Sequence, residues 1–405
     1  MALRLPSVFA PLRYRNFRLY WFGNLVSQTG DWLDQIALNW LVVTTTDSPV
    51  WLGLVNLGRG LPILIFALAG GVLADRFNRR RMMMVTQTAA MMIAIGLAVS
   101  VWFETSIWVI VSLATCRGLV VAFNLPVRLS LVAELVPRED IARAIAINSM
   151  TANTAKILGP MLAAMLIAVF GLMVCFIVNA VTFVAVLYNL SRISIPEREQ
   201  PLVRESFRQS LAGGLRYMRS DRTIFLLVLI AFIPTFFCQP FLQILAVLAE
   251  DVFRSGAFGL GLMTATAAVG AVTGGLLASL IQGNSRRGSV MVVFMGAFGL
   301  SLVLVAAAPS MMSALPGIFC AGAMQIAFNS SNNTLLQLST ADHYRGRVLS
   351  MLSLTRGLVP LGAATMAFLA AAVGVRVSLG SMSAVVVVTA IVFWFRSSVL
   401  RRLKL

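Results

Sequence analysis

Residues 156–164 read KILGPMLAA, and residues 356–364, at an offset of 200, read RGLVPLGAA. Each has a basic residue, a proline four positions later and a closing Ala-Ala pair. Two further echoes stand in the same order: Ala122-Phe123-Asn124 returns as Ala327-Phe328-Asn329, and Gly70-Gly71 returns as Gly274-Gly275. Three ordered matches imply an internal duplication. Repeated halves are a common way for transporter folds to enclose a site near the middle of a bilayer.

The surroundings of the repeats decide the solvent. Of 405 residues, 59% are apolar and 12% charged, and the mean hydropathy is +0.88, which excludes a soluble globular protein. The chain holds 32 Lys and Arg against 15 Asp and Glu. Nucleic-acid-binding chains are polar and this one is not, so the basic excess belongs on one membrane face and the large partner is the lipid bilayer, with no nucleic acid. A hydrocarbon core about 30 Å thick needs roughly 20 apolar residues per helix. Cutting at charge clusters and turn residues gives twelve spans, near 17–44, 50–74, 82–103, 107–135, 141–169, 171–190, 224–253, 256–282, 289–308, 310–338, 347–373 and 376–395.

Loop charge tests that count independently. Alternate connections, together with both ends of the chain, carry 25 Lys and Arg; the opposite connections carry two, Arg254 and Arg376. By the positive-inside rule both termini are cytoplasmic. The fold class expected is an all-α membrane protein of twelve transmembrane helices in two pseudo-symmetric six-helix bundles. The N-terminal bundle covers 1–190, a cytoplasmic linker 191–222 and the C-terminal bundle 223–405. In the linker Phe207, Leu211, Leu215 and Met218 recur at helical spacing, which reads either as a short amphipathic helix on the anionic leaflet or as a solvated linker.

Several chemistries find no support. Cys116, Cys175, Cys238 and Cys320 lie in apolar stretches without Cys-x-x-Cys spacing, so neither a disulfide framework nor a metal site is expected. The single histidine, His343, has no partner for metal or nucleophilic catalysis. Arg13, Arg15 and Arg18 surround aromatic residues, unlike a cleavable leader. No phosphate-cradling loop is present, so the driving force is an ion gradient, with no cofactor and no enzymatic reaction.

Polar residues inside spans are functional candidates because oil penalises them. In span one Asn24, Gln28, Asp31 and Gln35 share a helical face, flanked by Ser27 and Asp34. This stripe reads as a cavity lining in which Asp31 or Asp34 exchanges protons, a desolvated carboxyl having a raised pKa. It also reads as Asp31 capping a helix break near Gly30. In span four Arg117, Asn124 and Arg128 share a face, Arg128 near enough to the cytoplasmic end to snorkel. Lys156 and Arg356 each precede a proline, Pro160 and Pro360, whose missing backbone donor loosens the helix for bending. The two cations read as ligands for an anionic substrate or as ion-pair partners of Asp31 and Asp34. Gln239 and Gln243 in span seven, and Asn329 and Asn333 in span ten, read as substrate-binding walls or as interhelical polar packing. The tryptophans mostly mark span ends, with Trp32 and Trp40 as exceptions.

Between spans two and three the chain reads Gly71-Val72-Leu73-Ala74-Asp75-Arg76-Phe77-Asn78-Arg79-Arg80. This resembles the loop signature of the major facilitator superfamily, with Asn78 in place of a glycine. Asn is the non-glycine residue most tolerant of a left-handed turn. Arg117-Gly118 is similar to the superfamily's buried arginine element, and Gly159-Pro160-Met161-Leu162-Ala163-Ala164 to its antiporter motif, with alanines for two glycines. The stretch from Ala122 to Asn148 looks like the drug-efflux subgroup that contains macrolide exporters and the enterobactin exporter. The resemblance implies a bacterial inner-membrane, multi-pass, monomeric transporter. It also implies gating by Gly71, Asp75, Arg76, Arg79 and Arg80, and a role for Arg117 in passing proton-linked changes from span one. The function expected is export of a small amphipathic molecule, a drug or a siderophore-like compound, by proton antiport through alternating access, the excess of cations over acids in the spans leaning toward anionic or phenolate character. An uptake symporter or lipid flippase on the same fold, and a non-transporting receptor or scaffold, are the competing readings.

Overall fold

A computed structural model of the protein describes residues 7–46, 48–193, 221–280, 287–340 and 357–396. The linker's proposed amphipathic helix, His343 and Arg356 lie outside them, as do the side chains of residues 67–76. After a 3-10 turn at Ser7–Arg13, the helices are α1 (Arg15–Thr45), α2 (Pro49–Arg76), α3 (Arg79–Trp102), α4 (Ile107–Glu134), α5 (Ile141–Phe170) and α6 (Leu172–Ser191). They continue as α7 (Arg222–Phe237), α8 (Phe241–Val247), α9 (Gly256–Leu280), α10 (Arg287–Ala307), α11 (Met311–Ser339), α12 (Leu358–Val373) and α13 (Val375–Arg396).

Ten stretches among the described residues are long and apolar enough to cross a bilayer, and α12 is a shorter apolar helix. Helix α1, with 31 residues, completes the twelve expected spans. It is long enough to cross, but its polar stripe dilutes its hydropathy. Span seven is the one that differs from expectation, because it is broken. Pro240 has no N–H to give to the preceding turn, so α7 ends at Phe237 and α8 restarts after a turn at 238–240. The span finishes in a π-helical turn, Leu248–Val252. Helix α1 runs unbroken through Gly30, so Asp31 does not cap a break there. Helix α5 is likewise continuous through Pro160.

Two compact units result, one of residues 1–41 with 61–203, the other of residues 42–60 with 204–405. In the first, α3 packs on α4 and α6, and α5 on α4 and α6. Its core joins Phe17 and Tyr20 of α1 to Met83 of α3, Val127 and Leu131 of α4 and Phe183 of α6. In the second, α9 packs on α11, α10 on α11 and α13, and α12 on α7 and α13. Lipid tails are as apolar as Leu, so helix association in a bilayer depends on close backbone approach rather than on water expulsion. The α9–α11 contact shows this. A Cβ at Gly274 would overlap the backbone of Ala323, and one at Gly322 the backbone of Ala267.

Candidate functional site

In the first unit α1 turns its polar stripe toward protein. Asp31, its side chain 30% exposed, forms an ion pair with the Arg117 guanidinium of α4, whose side chain is 7% exposed. The same guanidinium lies 5.2 Å from the centroid of the Phe183 ring of α6. Below this pair Asn24 Nδ2 donates to Asn148 Oδ1 of α5 at 2.9 Å, and Trp21 Nε1 to Thr151 Oγ1 at 2.7 Å. Gln28 is buried, and among the described residues its Nε2 has no hydrogen-bond partner. Asp34 is 1% exposed and Gln35 half-buried. The two aspartates therefore differ in kind: Asp31 is partly accessible and paired to an arginine, whereas Asp34 is enclosed.

Helix α5 meets α1 at this level. A Cβ at Gly159 would overlap Trp32 and lie 2.8 Å from the Thr29 carbonyl oxygen, so glycine lets the α5 backbone rest on the turn of α1 that bears Asp31. One turn away the exposed Lys156 ammonium sits 5.6 Å from the centroid of the Trp32 ring, a cation over an aromatic face. Pro160, next to Gly159, is buried. Asn124 turns elsewhere, donating from Nδ2 to Thr86 Oγ1 of α3 at 2.8 Å.

In the second unit Gln239, at the break in span seven, donates from Nε2 to Asn329 Oδ1 of α11 and to Thr235 Oγ1, both at 3.3 Å. Gln243 is buried, and among the described residues its Oε1 has no partner. Asn333 is half-buried on α11. The neighbouring Asn332 is 2% exposed, its Oδ1 without a partner among the described residues, a polar core residue that spacing in fours along span ten passes over. Pro360 opens α12, and a Cβ at Gly60 of the 42–60 segment would overlap it.

At the α2–α3 turn the backbone of Gly71, Asp75 and Arg76 ends α2, while their side chains lie outside the described set. Arg79 forms an ion pair with Glu134 at the end of α4. Arg80 donates from Nε to the Leu190 carbonyl at 2.8 Å and from Nη2 to the Ser191 carbonyl at 2.6 Å. It thus occupies the carbonyl end of α6, where a cation is favoured. Asn78 corrects the left-handed reading: with φ −61° and ψ 114° it is extended, and its Oδ1 caps α3 by accepting from Arg81 N at 3.1 Å. Glycine lacks that cap, so here Asn contributes a side-chain acceptor.

Residues missed in sequence include Glu134, Asn148 and Asp140. The Asp140 side chain is 0% exposed and accepts from Arg13, Tyr14 and Arg143. These partners hold its carboxyl below the ordinary carboxylate range, the Arg143 hydrogen bond contributing most. A signal existed for Glu134, an acid closing a span beside the basic Arg79–Arg81 turn. None existed for Asp140, which reads as a solvent-facing loop residue.

Comparison with known proteins places this arrangement. Residues 6–402 match the family described as transmembrane secretion effector. The staphyloferrin A transporter of Staphylococcus aureus is 28% identical over 93% of this chain and 94% of its own length. The macrolide efflux protein A of Streptococcus pyogenes is 24% identical over 90% and 92%. The enterobactin exporter of an Escherichia coli strain is 24% identical over 82% and 79%. Among solved structures, a bacterial homologue of the human lysosomal transporter Spinster superposes with a TM-score of 0.75 at 15% identity, over 95% of this chain and 98% of that one, a likeness of fold. The protein is a multi-pass membrane transporter and not an enzyme; with nearly its full length matched, the chain belongs to the transmembrane secretion effector family of the major facilitator superfamily.

Proposed function

We propose that the protein exports a small amphipathic, anionic molecule across a bacterial inner membrane in exchange for protons, by alternating access, as a monomer with both termini in the cytoplasm. The observation that carries this reading is the ion pair of Asp31 and Arg117 inside the first unit. A carboxylate in a span is tolerated while its partner holds the charge. Protonating Asp31 releases Arg117, and an anionic substrate group competes for the freed guanidinium. Proton and substrate then occupy the site in turn, which is the requirement for exchange. Asp34, enclosed beside the pair, is a second proton acceptor in this scheme.

Support for the substrate class comes from the wall. Lys156 over Trp32 offers a cation beside an aromatic face, a combination that suits a phenolate or carboxylate attached to an apolar body. In the second unit Gln239, Gln243, Asn329 and Asn333 are neutral hydrogen-bonding groups, and the sequence repeat offers Arg356, outside the described residues, as a further cation. The relatives' names point the same way, since two of them refer to staphyloferrin A and enterobactin. Gly71, Asp75, Arg76, Arg79 and Arg80 are assigned to gating, with Pro160 and Pro360 at the bending points.

The test is transport in proteoliposomes under an imposed pH gradient. Substrate efflux and proton influx are followed for the wild type, Asp31→Asn, Asp34→Asn and the double variant. Substrate-linked proton flux in the wild type and its loss in at least the double variant are the expected results. Gradient-driven export persisting in all three variants would refute carboxylate coupling.

A further inference from the structure

We propose that the Arg13–Asp140–Arg143 clamp of the first unit binds the phosphodiester headgroup of an anionic phospholipid. Asp140 accepts from Arg13 Nη2 and the Tyr14 hydroxyl on Oδ2, each at 2.9 Å, and from Arg143 Nη1 on Oδ1 at 2.8 Å. One buried carboxylate thus fixes two guanidiniums side by side and neutralises only one of them. The side chains of Arg13 and Arg143 remain 59% and 49% exposed. Arg13 also donates to the Tyr14 hydroxyl at 2.6 Å; each five-donor fork keeps further N–H groups beyond these bonds. Glu139, the adjacent acid, is exposed and pairs with neither guanidinium.

The level of the clamp selects the ligand. Arg143 begins the span Arg143–Phe170, and Arg13 lies two residues before α1 begins at Arg15. Both therefore stand where helices leave the hydrocarbon, the depth at which lipid phosphates lie. Planar guanidinium forks match phosphate oxygens bidentately, and a fork already held by a carboxylate loses less freedom on binding. Arg15 and Arg18 are exposed nearby and extend the positive field without sharing the clamp. The phosphate could come from the lipid or from solution. The depth favours the lipid.

The experiment measures lipid retention on the full-length protein by native mass spectrometry, titrating with phosphatidylglycerol, phosphatidylcholine and inorganic phosphate. Wild type should prefer phosphatidylglycerol. The double variant Arg13→Gln/Arg143→Gln should bind it roughly 30-fold more weakly, since each arginine near an anionic surface contributes about 1 kcal/mol. Arg13→Lys/Arg143→Lys keeps the charge, loses the fork and should also weaken binding, which guards against misfolding of the glutamine variant. Arg15→Gln/Arg18→Gln removes equal charge outside the clamp and should have a smaller effect. Equal losses in the two glutamine variants would reduce the site to general basic attraction and overturn the proposal. So would unchanged binding in the Arg13/Arg143 variants, or displacement of the lipid by millimolar inorganic phosphate.

Discussion

Removing Asp31 and removing Arg117 should not be equivalent, and the inequality follows from their surroundings. Asp31→Asn leaves a guanidinium with 7% of its side chain exposed and without the carboxylate it pairs with. Breaking a buried pair in this way costs about 3–5 kcal/mol. The asparagine oxygen still accepts one hydrogen bond, which reduces the loss to about 2 kcal/mol. Arg117→Gln instead leaves a carboxylate that is 30% exposed and can hydrate, for a loss of about 1 kcal/mol. In the double variant two neutral amides face each other, and the loss stays near 1 kcal/mol. The singles then sum to about 3 against about 1 for the double, a coupling of roughly 2 kcal/mol. Equilibrium unfolding in mixed micelles measures all three. Additivity within about 0.5 kcal/mol would show that the pair contributes no net interaction. Transport separates structure from coupling: the double variant should regain stability without regaining substrate-linked proton flux. Recovery of that flux would remove Asp31 from the coupling scheme.

Three further outcomes are expected. Gly159→Val forces a side chain into Trp32 and the Thr29 carbonyl, and overpacking of this kind costs about 1–3 kcal/mol; a lower unfolding midpoint with impaired transport is expected, and Gly159→Ala should show a smaller effect in both assays. Gln239→Leu removes hydrogen bonds to Asn329 and Thr235; within a membrane these are each worth only about 0.6 kcal/mol, so stability should barely change while substrate affinity falls several-fold if this residue lines the wall. For Asp140 the folded pKa lies below its ordinary value, so the carboxylate contributes stability above the unfolded value of about 3.9 and loses it as pH falls through the lower, folded value. Asp140→Asn should therefore destabilise at pH 5–8 with no pH trend there. The difference from wild type should shrink below about pH 4.

Much of the fold was legible because the bilayer imposes simple rules. Span lengths, the alternation of arginines and the echo of KILGPMLAA in RGLVPLGAA each follow from composition along the chain, and helices cannot hide an apolar run. Helix α1 was legible through its stripe even though its hydropathy is poor, since Asn24, Gln28, Asp31 and Gln35 keep helical spacing. Pairings were less visible. Asp31 and Arg117 are 86 positions apart, and nothing local says that Arg117 meets Asp31 rather than Asp34. Asn124 shares a face with Arg117 on an ideal helix, yet it donates to Thr86, because α3 rather than α1 lies nearest at that turn. The break in span seven had its signal in Pro240, but a proline alone does not separate a kink from a restart. Asn78 read as a turn residue by its tolerance for positive φ and serves instead through its side-chain oxygen.

In the first unit the polar span α1 finds its partners on neighbouring helices. In oil, a polar side chain on a lone helix has no partner, whereas in a bundle each one can be answered from a neighbour. Asp31 is answered by α4, Asn24 and Trp21 by α5, and the backbone at Gly30 closes on α6, where a Cβ would meet Asn179 and Thr182 at 2.5 Å. Three separate helices therefore hold α1 by polar groups or close approach, in addition to the apolar packing of Phe17, Tyr20 and Leu33. Polar contacts in a membrane can be exchanged for one another at little cost, since each is worth about 0.6 kcal/mol, while interdigitated leucines cannot. A helix held in part by such contacts can change those partners when a proton or an anion arrives. The coupling role proposed for α1 requires that property, and the more apolar α6 offers no comparable stripe.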